Sequence, residues 1–241
     1  MIAACHAALG IEVLRRGIIF IDLAVAQIAG LGIVAASLIV DAPAWWAVQG
    51  TALACAIAAA CFFHWTEKRL PDQQEAIIGS SYVVAASAAL LLLADHPHGG
   101  DEVRHLLAGQ ILFVTWHDVL THAPVYLLVL AAWLASNAAR RGIWFFVLFA
   151  LAITSSVQLV GVFVVFASLI LPALAVAGQT RIKLVSAWAV AAAAVVIGTL
   201  VSVFGDLPTG PTLVLAFAAT TVVYRRLATA GVMPQASRAP D

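Results

Sequence analysis

The amino-acid sequence predicts an all-α fold, a polytopic membrane helical bundle of eight or nine transmembrane helices. Two observations lead to this prediction. Hydrophobic residues make up 63% of the 241-residue chain and charged residues only 10%, with a mean hydropathy of +1.04, whereas soluble domains carry about 25% charged residues. The few charges also lie in short gaps between long apolar runs, as expected of a chain that crosses a bilayer repeatedly.

Each long apolar run is predicted to be a spanning helix, because about 20 helical residues cross a hydrocarbon core of about 30 Å with their backbone groups satisfied internally. Six runs have this length: Ile18–Val40, Ala44–Trp65, Glu75–Leu93, Val119–Ser136, Leu184–Phe204 and Gly210–Tyr224. The stretch Gly142–Gly178 is too long for one span, so we expect two spans with a break near Ser155-Ser156. Met1–Leu14 is short for a span and is expected to be a truncated first helix.

The loop charges predict the orientation. Eleven of the twelve Lys and Arg residues fall in alternate gaps, and Arg104 is the exception. The basic gaps hold Arg15-Arg16, Lys68-Arg69, Arg140-Arg141, Arg181 with Lys183, and Arg225-Arg226 with Arg238. Positive loops stay in the cytoplasm, so the C-terminus is expected inside and 41–43, 95–110 and 205–209 outside. We expect a transmembrane domain at 1–227, a disordered cytoplasmic tail at 228–241, and a re-entrant or interfacial piece at Ile111–Trp116.

Several classes of function are not supported by the sequence. No basic stripe indicates nucleic-acid binding. Cys5, Cys55 and Cys61 lie in apolar runs without CxxC spacing, which favours small apolar fillers over a disulfide or a zinc framework. The chain has no GxxxxGK[ST] loop, so it is not expected to be an enzyme with its own ATPase site.

Three stretches together resemble the permease subunits of the metal-ion family of ABC importers, the zinc and manganese type. They are RRGIIFIDLAVAQIAGLG at 15–32, SSVQLVGVFVVFASLILPALAVAG at 155–178 and DLPTGP at 206–211. The resemblance implies import of zinc or manganese across a bacterial cytoplasmic (inner) membrane, with no permanently bound cofactor. It also implies three kinds of partner: a second permease copy in a homodimer, cytoplasmic ATPase subunits, and an external solute-binding protein.

The resemblance further suggests where the ATPase docks. In such importers a short cytoplasmic helix follows the LILP-type segment, which here is Ala173–Lys183, containing Gly178, Arg181 and Lys183. Pro172 is expected to break the preceding helix, because proline lacks an N–H and clashes with the preceding turn. The alternative is an ordinary loop whose charges follow the positive-inside rule.

Asp22 is the main candidate for metal handling, because an ionised carboxylate inside a span is expensive and marks a pathway or a charge pair. It matches the Asp of the family's intramembrane motif, in which a His follows four residues later. Here that position is Ala26, followed by Gln27, and an amide is a weaker zinc ligand than imidazole. We expect His6 to replace the missing ligand in a His6–Asp22–Gln27 cluster. Alternatively, His6 bonds a neighbouring helix and Asp22 pairs with Arg15 or Arg16.

Other polar residues are weaker candidates. His96, His98 and His105 lie among carboxylates in the predicted outer loop and could capture a metal ion, or belong to a solvated loop that contacts the binding protein. Asp118 and His122 share a helix face and could hold a metal together, with His117 pointing elsewhere. His64 is expected to anchor at the membrane interface, and Gln158 to bond a neighbouring helix.

Three other functions remain open from the sequence. The chain could be an ABC permease for a metal chelate, although Asp22 in the path favours a bare cation. It could be a stand-alone secondary transporter or channel, although the two halves show no clear inverted repeat. A polytopic membrane enzyme would need a cluster of His, Asp or Glu at one membrane face, and only the region 95–122 comes close.

Overall fold

The computed structural model of the protein describes residues 1–39, 44–93, 114–179 and 183–229. These residues form eight α-helices and, within the described ranges, no β-strand. The helices are α1 (Ile2–Arg16), α2 (Ile21–Ile39), α3 (Trp45–Arg69), α4 (Gln74–Leu92), α5 (Trp116–Ala135), α6 (Gly142–Ala175), α7 (Lys183–Gly205) and α8 (Thr209–Thr229). Short 3-10 helices, Pro71–Gln73 and Ala138–Arg140, precede α4 and α6. The predicted all-α membrane bundle is confirmed.

Five helices are long and apolar enough, by length and composition, to cross a membrane individually. They are α3, α4 with its preceding 3-10 turn, α5, α6 and α7. Helices α1 and α2 satisfy the same criteria only as a pair bent by 114°. Counting the two arms of α6 separately, as shown below, gives nine helical segments in the described residues, in line with the predicted eight or nine.

Helix ends follow local capping signals that the apolar runs alone do not show. Helix α1 ends where Gly17 adopts a left-handed conformation with φ of 71°. As a result, α2 begins at Ile21 and not at the predicted Ile18. Helix α5 begins three residues before the predicted position, because Thr115 and Asp118 form a capping box. Helix α8 continues to Thr229, two residues beyond the predicted permease domain, and the rest of the tail lies outside the described residues.

Helix α6 is the central and most buried helix, and it reverses direction at Gly161. Gly161 has φ of 78° and ψ of 162°, a conformation that side chains with a Cβ rarely adopt. Ser156 and Ser168, on either side of it, both hydrogen-bond the His6 ring. In a straight helix these serines would lie about 18 Å apart along the axis, too far for one imidazole to reach both. The long stretch therefore makes two antiparallel arms, as predicted.

The position of the break differs from the prediction. Ser155 and Ser156 lie within the first arm of α6, because the Ser156 hydroxyl donates to the Ala152 carbonyl at 2.7 Å, a bond compatible with helix. The reversal needs a residue that tolerates positive φ, and Gly161 supplies it. The reversal returns Val176–Gln179 to the same side as the start of α6. The basic gaps at 140–141 and 181–183 can therefore share a membrane side, as the charge pattern predicts.

An ionic cluster ties helix ends together on the basic side of the bundle. Arg16 donates from Nε to Glu12 at 2.9 Å, from Nη1 to Glu67 at 2.6 Å, and from Nη2 to the Arg140 carbonyl at 2.9 Å. Its guanidinium also lies 4.2 Å from the centroid of the Phe145 ring. These contacts join the ends of α1 and α3 to the start of α6. They show that three of the predicted cytoplasmic gaps lie on one side.

Candidate functional site

The carboxylate of Asp22 lies buried at the break between α1 and α2. The residue is 1% exposed, and neither carboxylate oxygen has a hydrogen-bond partner among the described residues. Its place in the first turn of α2 sets the carboxylate close to the backbone N–H groups of Asp22 and Leu23, where the helix dipole favours negative charge. A buried carboxylate without a paired cation requires a proton or a bound cation.

The proposed ion pairs of Asp22 with Arg15 or Arg16 are not formed. Arg15 donates to Glu12 at 2.5 Å, and Arg16 bonds Glu12 and Glu67. Both arginines are therefore occupied by other carboxylates. Asp22 is left without the structural partner that would explain its burial.

A second carboxylate, Glu75, lies close enough to Asp22 to interact electrostatically. Glu75 lies in the first turn of α4, and its Oε1 accepts a hydrogen bond from the Phe20 N–H at 3.2 Å. Its Oε2 is buried and has no partner within the described part of the chain. Asp22 and Glu75 together place three unpartnered carboxylate oxygens at the α1–α2 break. Carboxylate oxygens are ligands that suit hard divalent cations such as manganese.

The sequence did not single out Glu75 as a functional residue. Its only signal is a carboxylate at the first position of the predicted span Glu75–Leu93. Asp22 and Glu75 are far apart in the chain, and their proximity depends on the packing of α2 against α4. That packing cannot be read from either segment alone.

His6 lies in a different polar cluster from Asp22. It is fully buried, with Nδ1 at 2.7 Å from the Ser168 hydroxyl and Nε2 at 2.8 Å from the Ser156 hydroxyl. A neutral imidazole has one N–H, which donates to one serine hydroxyl, and the Ser156 and Ser168 hydroxyls also lie 2.7 and 3.0 Å from the Ala152 and Val165 carbonyls of their own arms. Both ring nitrogens are thus used by α6. The predicted His6–Asp22–Gln27 cluster is wrong in this structure, and the alternative of an interhelical hydrogen bond is correct.

The polar cluster around His6 extends to α5. The Tyr126 hydroxyl lies 2.8 Å from the Ser156 hydroxyl, and His122, one turn earlier, lies with Nδ1 2.8 Å from the Ser155 hydroxyl. Tyr126 is buried, whereas His122 is half-buried. Asp118 hydrogen-bonds Thr115 in the capping box, whereas His122 hydrogen-bonds Ser155. The two side chains of the predicted Asp118–His122 pair therefore have different partners.

Within the described residues, no group of three or more His, Cys, Asp or Glu side chains could hold a metal ion.

Two other predicted candidates have limited structural support. Gln27 is half-buried on α2 and hydrogen-bonds neither His6 nor Asp22. His64 is half-buried on α3, and its ring lies 5.5 Å from that of Phe146. His96, His98 and His105, and the segment Ile111–Phe113, lie outside the described residues.

The segment expected to dock an ATPase differs from the prediction in its helical structure. Pro172 does not end α6, which continues to Ala175, so no separate short helix begins at Ala173. Pro172 and Ala173 are buried within the bundle. Gly178 is exposed in the following turn with φ of 89°, Lys183 is half-buried at the start of α7, and Arg181 lies outside the described residues. The surface available to a partner is therefore the turn that follows Ala175.

The chain is similar to known transport proteins. The model of the ABC 3 transport family matches residues 1–139 and 136–226, which together are nearly the whole chain. The structure of PsaBC from Streptococcus pneumoniae in complex with Fab is similar with a TM-score of 0.70, covering 95% of this chain and 91% of that one at 19% sequence identity. That likeness supports the fold. No curated protein matches the sequence.

Proposed function

The chain belongs to the ABC 3 transport family, and from this premise we propose that it imports a divalent transition-metal ion, manganese or zinc. Membership makes it a membrane-spanning permease of an ABC transporter. The family resemblance of the stretches 15–32, 155–178 and 206–211 agrees with the family match. What remains a proposal is the cargo, its direction of movement and the identity of the partners.

The observation that supports a metal cargo is the buried, unpartnered carboxylate of Asp22 with Glu75 beside it. A carboxylate without a partner in the membrane marks a pathway for a cation or a proton. The donor atoms gathered at this break are oxygens, with the imidazole of His6 committed elsewhere. Because carboxylate oxygens suit manganese and imidazole nitrogens suit zinc, this donor set favours manganese.

The other residues predicted to handle metal would assist transport without holding the ion at Asp22. His96, His98 and His105 would receive the ion outside, and Gln27 would line the path along α2 from Asp22. His6 would act indirectly, by holding the two arms of α6 at a fixed spacing beside the path. None of these three roles requires a metal bound permanently.

Transport against a gradient would need ATPase subunits on the cytoplasmic side, an external solute-binding protein and a second permease copy. The ATPase would contact Leu174 at the end of α6 and Ala177 and Gly178 in the turn after it, all of which are exposed, together with Arg181 and Lys183. Pro172 and Ala173 would contribute only indirectly, by packing the last turn of α6 into the bundle, since they are buried. The turn is held to α8 by the Gln179 amide, which donates to the Tyr224 hydroxyl at 2.8 Å. A displacement of this turn by the ATPase would therefore move both α6 and α8.

The proposal is tested by metal uptake into proteoliposomes that hold the permease and its ATPase subunits, with ATP and the binding protein supplied. Wild type should accumulate manganese or zinc, and Asp22→Asn should abolish uptake at unchanged expression and monodispersity. Asp72→Asn is the matched control, because Asp72 is an exposed acid in the 3-10 turn before α4. Uptake by Asp22→Asn at the wild-type rate would overturn the site. ATP-driven uptake of a metal chelate but of no free ion would overturn the cargo.

A further inference from the structure

A pocket of about 510 Å³ opens on the basic side of the bundle, and Asp22 is not one of its lining residues. It lies between the end of α3 and the start of α6. It is lined by His64, Lys68, Asn137, Ala138, Arg141, Gly142, Ile143 and Trp144. Neither the family match nor the proposed metal path assigns a role to these residues.

Two cationic side chains of this pocket, Lys68 and Arg141, have no ionic or hydrogen-bonding partner among the described residues. Lys68 and Arg141 are exposed, and neither side chain forms an ion pair or a hydrogen bond within the residues that the structure describes. The neighbouring arginines are engaged. Arg16 bonds two glutamates, and Arg140 donates twice to the Trp133 carbonyl, at 3.0 and 2.9 Å. The positive charges of Lys68 and Arg141 are thus not compensated by a carboxylate within the described residues.

The nearest carboxylate does not neutralise this charge. Glu67 on α3 is bonded to Arg16 through Oε1, and its Oε2 lies 3.5 Å from Nδ1 of His64. That nitrogen is buried and makes no hydrogen bond. The pocket therefore carries two free cations beside a carboxylate that is already paired.

The start of α6 adds free backbone donors to the same pocket. The N–H groups of the first turn of α6 have no intrahelical acceptor, as in any helix, and no side chain caps them. Gly142 has φ of 53°, which lets the chain turn sharply from Arg141 into the helix. Free N–H groups at a helix N-terminus bind anions, and phosphate in particular.

Exposed tryptophans place this pocket at the level of the lipid headgroups. Trp144 lines the pocket and is 62% exposed, and Trp65 on α3 is 51% exposed, with the Arg69 guanidinium 5.9 Å from its ring centroid. Exposed tryptophan beside lysine and arginine at the ends of spanning helices is typical of the membrane–water interface. An anion bound here would therefore lie among phospholipid headgroups.

We propose that this pocket binds the phosphate of an anionic phospholipid, with Lys68, Arg141 and the α6 N-terminus as its ligands. Basic pockets between transmembrane helices on the cytoplasmic side hold such headgroups. Trp144 packs against the lipid glycerol and acyl region. The bound lipid bridges α3 and α6 at the end where Arg16 already joins them, and it stabilises this end of the bundle.

The test is the retention of phosphatidylglycerol by the purified full-length protein, measured by native mass spectrometry after extraction in a mild detergent. Two double variants are compared with wild type: Lys68→Gln with Arg141→Gln, and Arg225→Gln with Arg226→Gln. The second removes the same charge from the basic end of α8 and controls for general attraction. The pocket variant should bind phosphatidylglycerol roughly tenfold more weakly, and the control should bind it as wild type does. Phosphatidylcholine should bind all three equally weakly.

The remaining outcomes separate the alternatives. Equal retention by wild type and the pocket variant overturns the proposal, as does an equal loss in the control. Displacement of the lipid by millimolar inorganic phosphate would show a free-anion site instead. Unchanged lipid retention with loss of ATPase co-purification would show a protein-docking surface. Should the double variant aggregate, Arg141→Gln alone is decisive, because that exposed side chain forms no ion pair or hydrogen bond within the described residues and its loss should weaken retention severalfold.

Discussion

The ring of His6 lies 2.7 Å from the hydroxyl of Ser168, although the two residues are 162 positions apart. The same ring reaches Ser156 with its other nitrogen, so one side chain near the start of the chain joins both arms of α6. The reversal at Gly161 and the position of α1 are therefore coupled. The two hydrogen bonds hold the arms of α6 together on one face of α1.

The reversal of α6 predicts that Ser136 and Ala177, which precede and follow α6, lie on the same side of the membrane. Single cysteines at these exposed positions, in a chain whose three native cysteines are replaced, should resist an impermeant maleimide applied to intact cells. Cysteine at Leu207, which is 47% exposed in the turn between α7 and α8, should be labelled. Labelling of only one of positions 136 and 177 would mean that α6 crosses once as a continuous helix.

His6→Ala should lower the free energy of unfolding by about 1–3 kcal/mol, because two buried hydrogen bonds are lost and a cavity remains. The measurement is thermal or denaturant unfolding in a fixed detergent. His122→Ala is the matched control, since it removes one bond from a half-buried imidazole and should cost about 0.5 kcal/mol. Equal losses in the two variants would argue against the bridging role of His6.

Arg16→Gln should destabilise the protein by about 1.5–3 kcal/mol, because charged hydrogen bonds to Glu12 and Glu67 are lost and Glu12 keeps only the exposed Arg15 as its partner. Glu12 is 6% exposed, and Arg16 also packs on the Phe145 ring. The adjacent Arg15→Gln removes a cation whose side chain is 68% exposed and should change stability by less than about 1 kcal/mol. Unfolding midpoints that differ little between these two variants would contradict the importance assigned to the Arg16 cluster.

Gly10→Ala should destabilise the contact between α1 and α6 by about 1–3 kcal/mol. A Cβ at Gly10 would overlap the Leu169 carbonyl oxygen, which belongs to the backbone and cannot move aside cheaply. Gly79→Ala, in α4, provides the comparison, because a Cβ there meets nothing within 4 Å. That substitution should be neutral or stabilising by up to about 1 kcal/mol. A tolerated Gly10→Ala would show that α1 is free to shift away from α6.

Glu75→Gln should weaken metal uptake without abolishing it, because Asp22 still supplies a buried carboxylate. The metal concentration that gives half-maximal uptake should rise roughly tenfold, a change typical of residues that support a metal ligand. Asp72→Asn should leave this concentration unchanged. An unaltered uptake curve for Glu75→Gln, alongside inactive Asp22→Asn, would remove Glu75 from the site and retain Asp22.

The sequence alone determined the properties that depend on neighbouring residues. Apolar run length predicted the helices, because each spanning segment satisfies its own backbone hydrogen bonds. Loop charge predicted which helix ends share a side, and the described contacts of Arg16 with Glu67 and Arg140 agree for three of those gaps. The burial of Asp22 could likewise be predicted, because a residue inside a long apolar run lies in the same spanning helix as its apolar neighbours.

Only the tertiary structure decided which distant residues meet. It placed Glu75 near Asp22. It showed that His6 hydrogen-bonds the serines of α6. It also located the reversal of α6 at Gly161 rather than at Ser155-Ser156. It also showed that Arg16 is paired while Lys68 and Arg141 are free in the described residues, although all three are basic residues at helix ends. These outcomes depend on helix packing and on side-chain geometry across long separations, whereas hydropathy and charge report each segment separately.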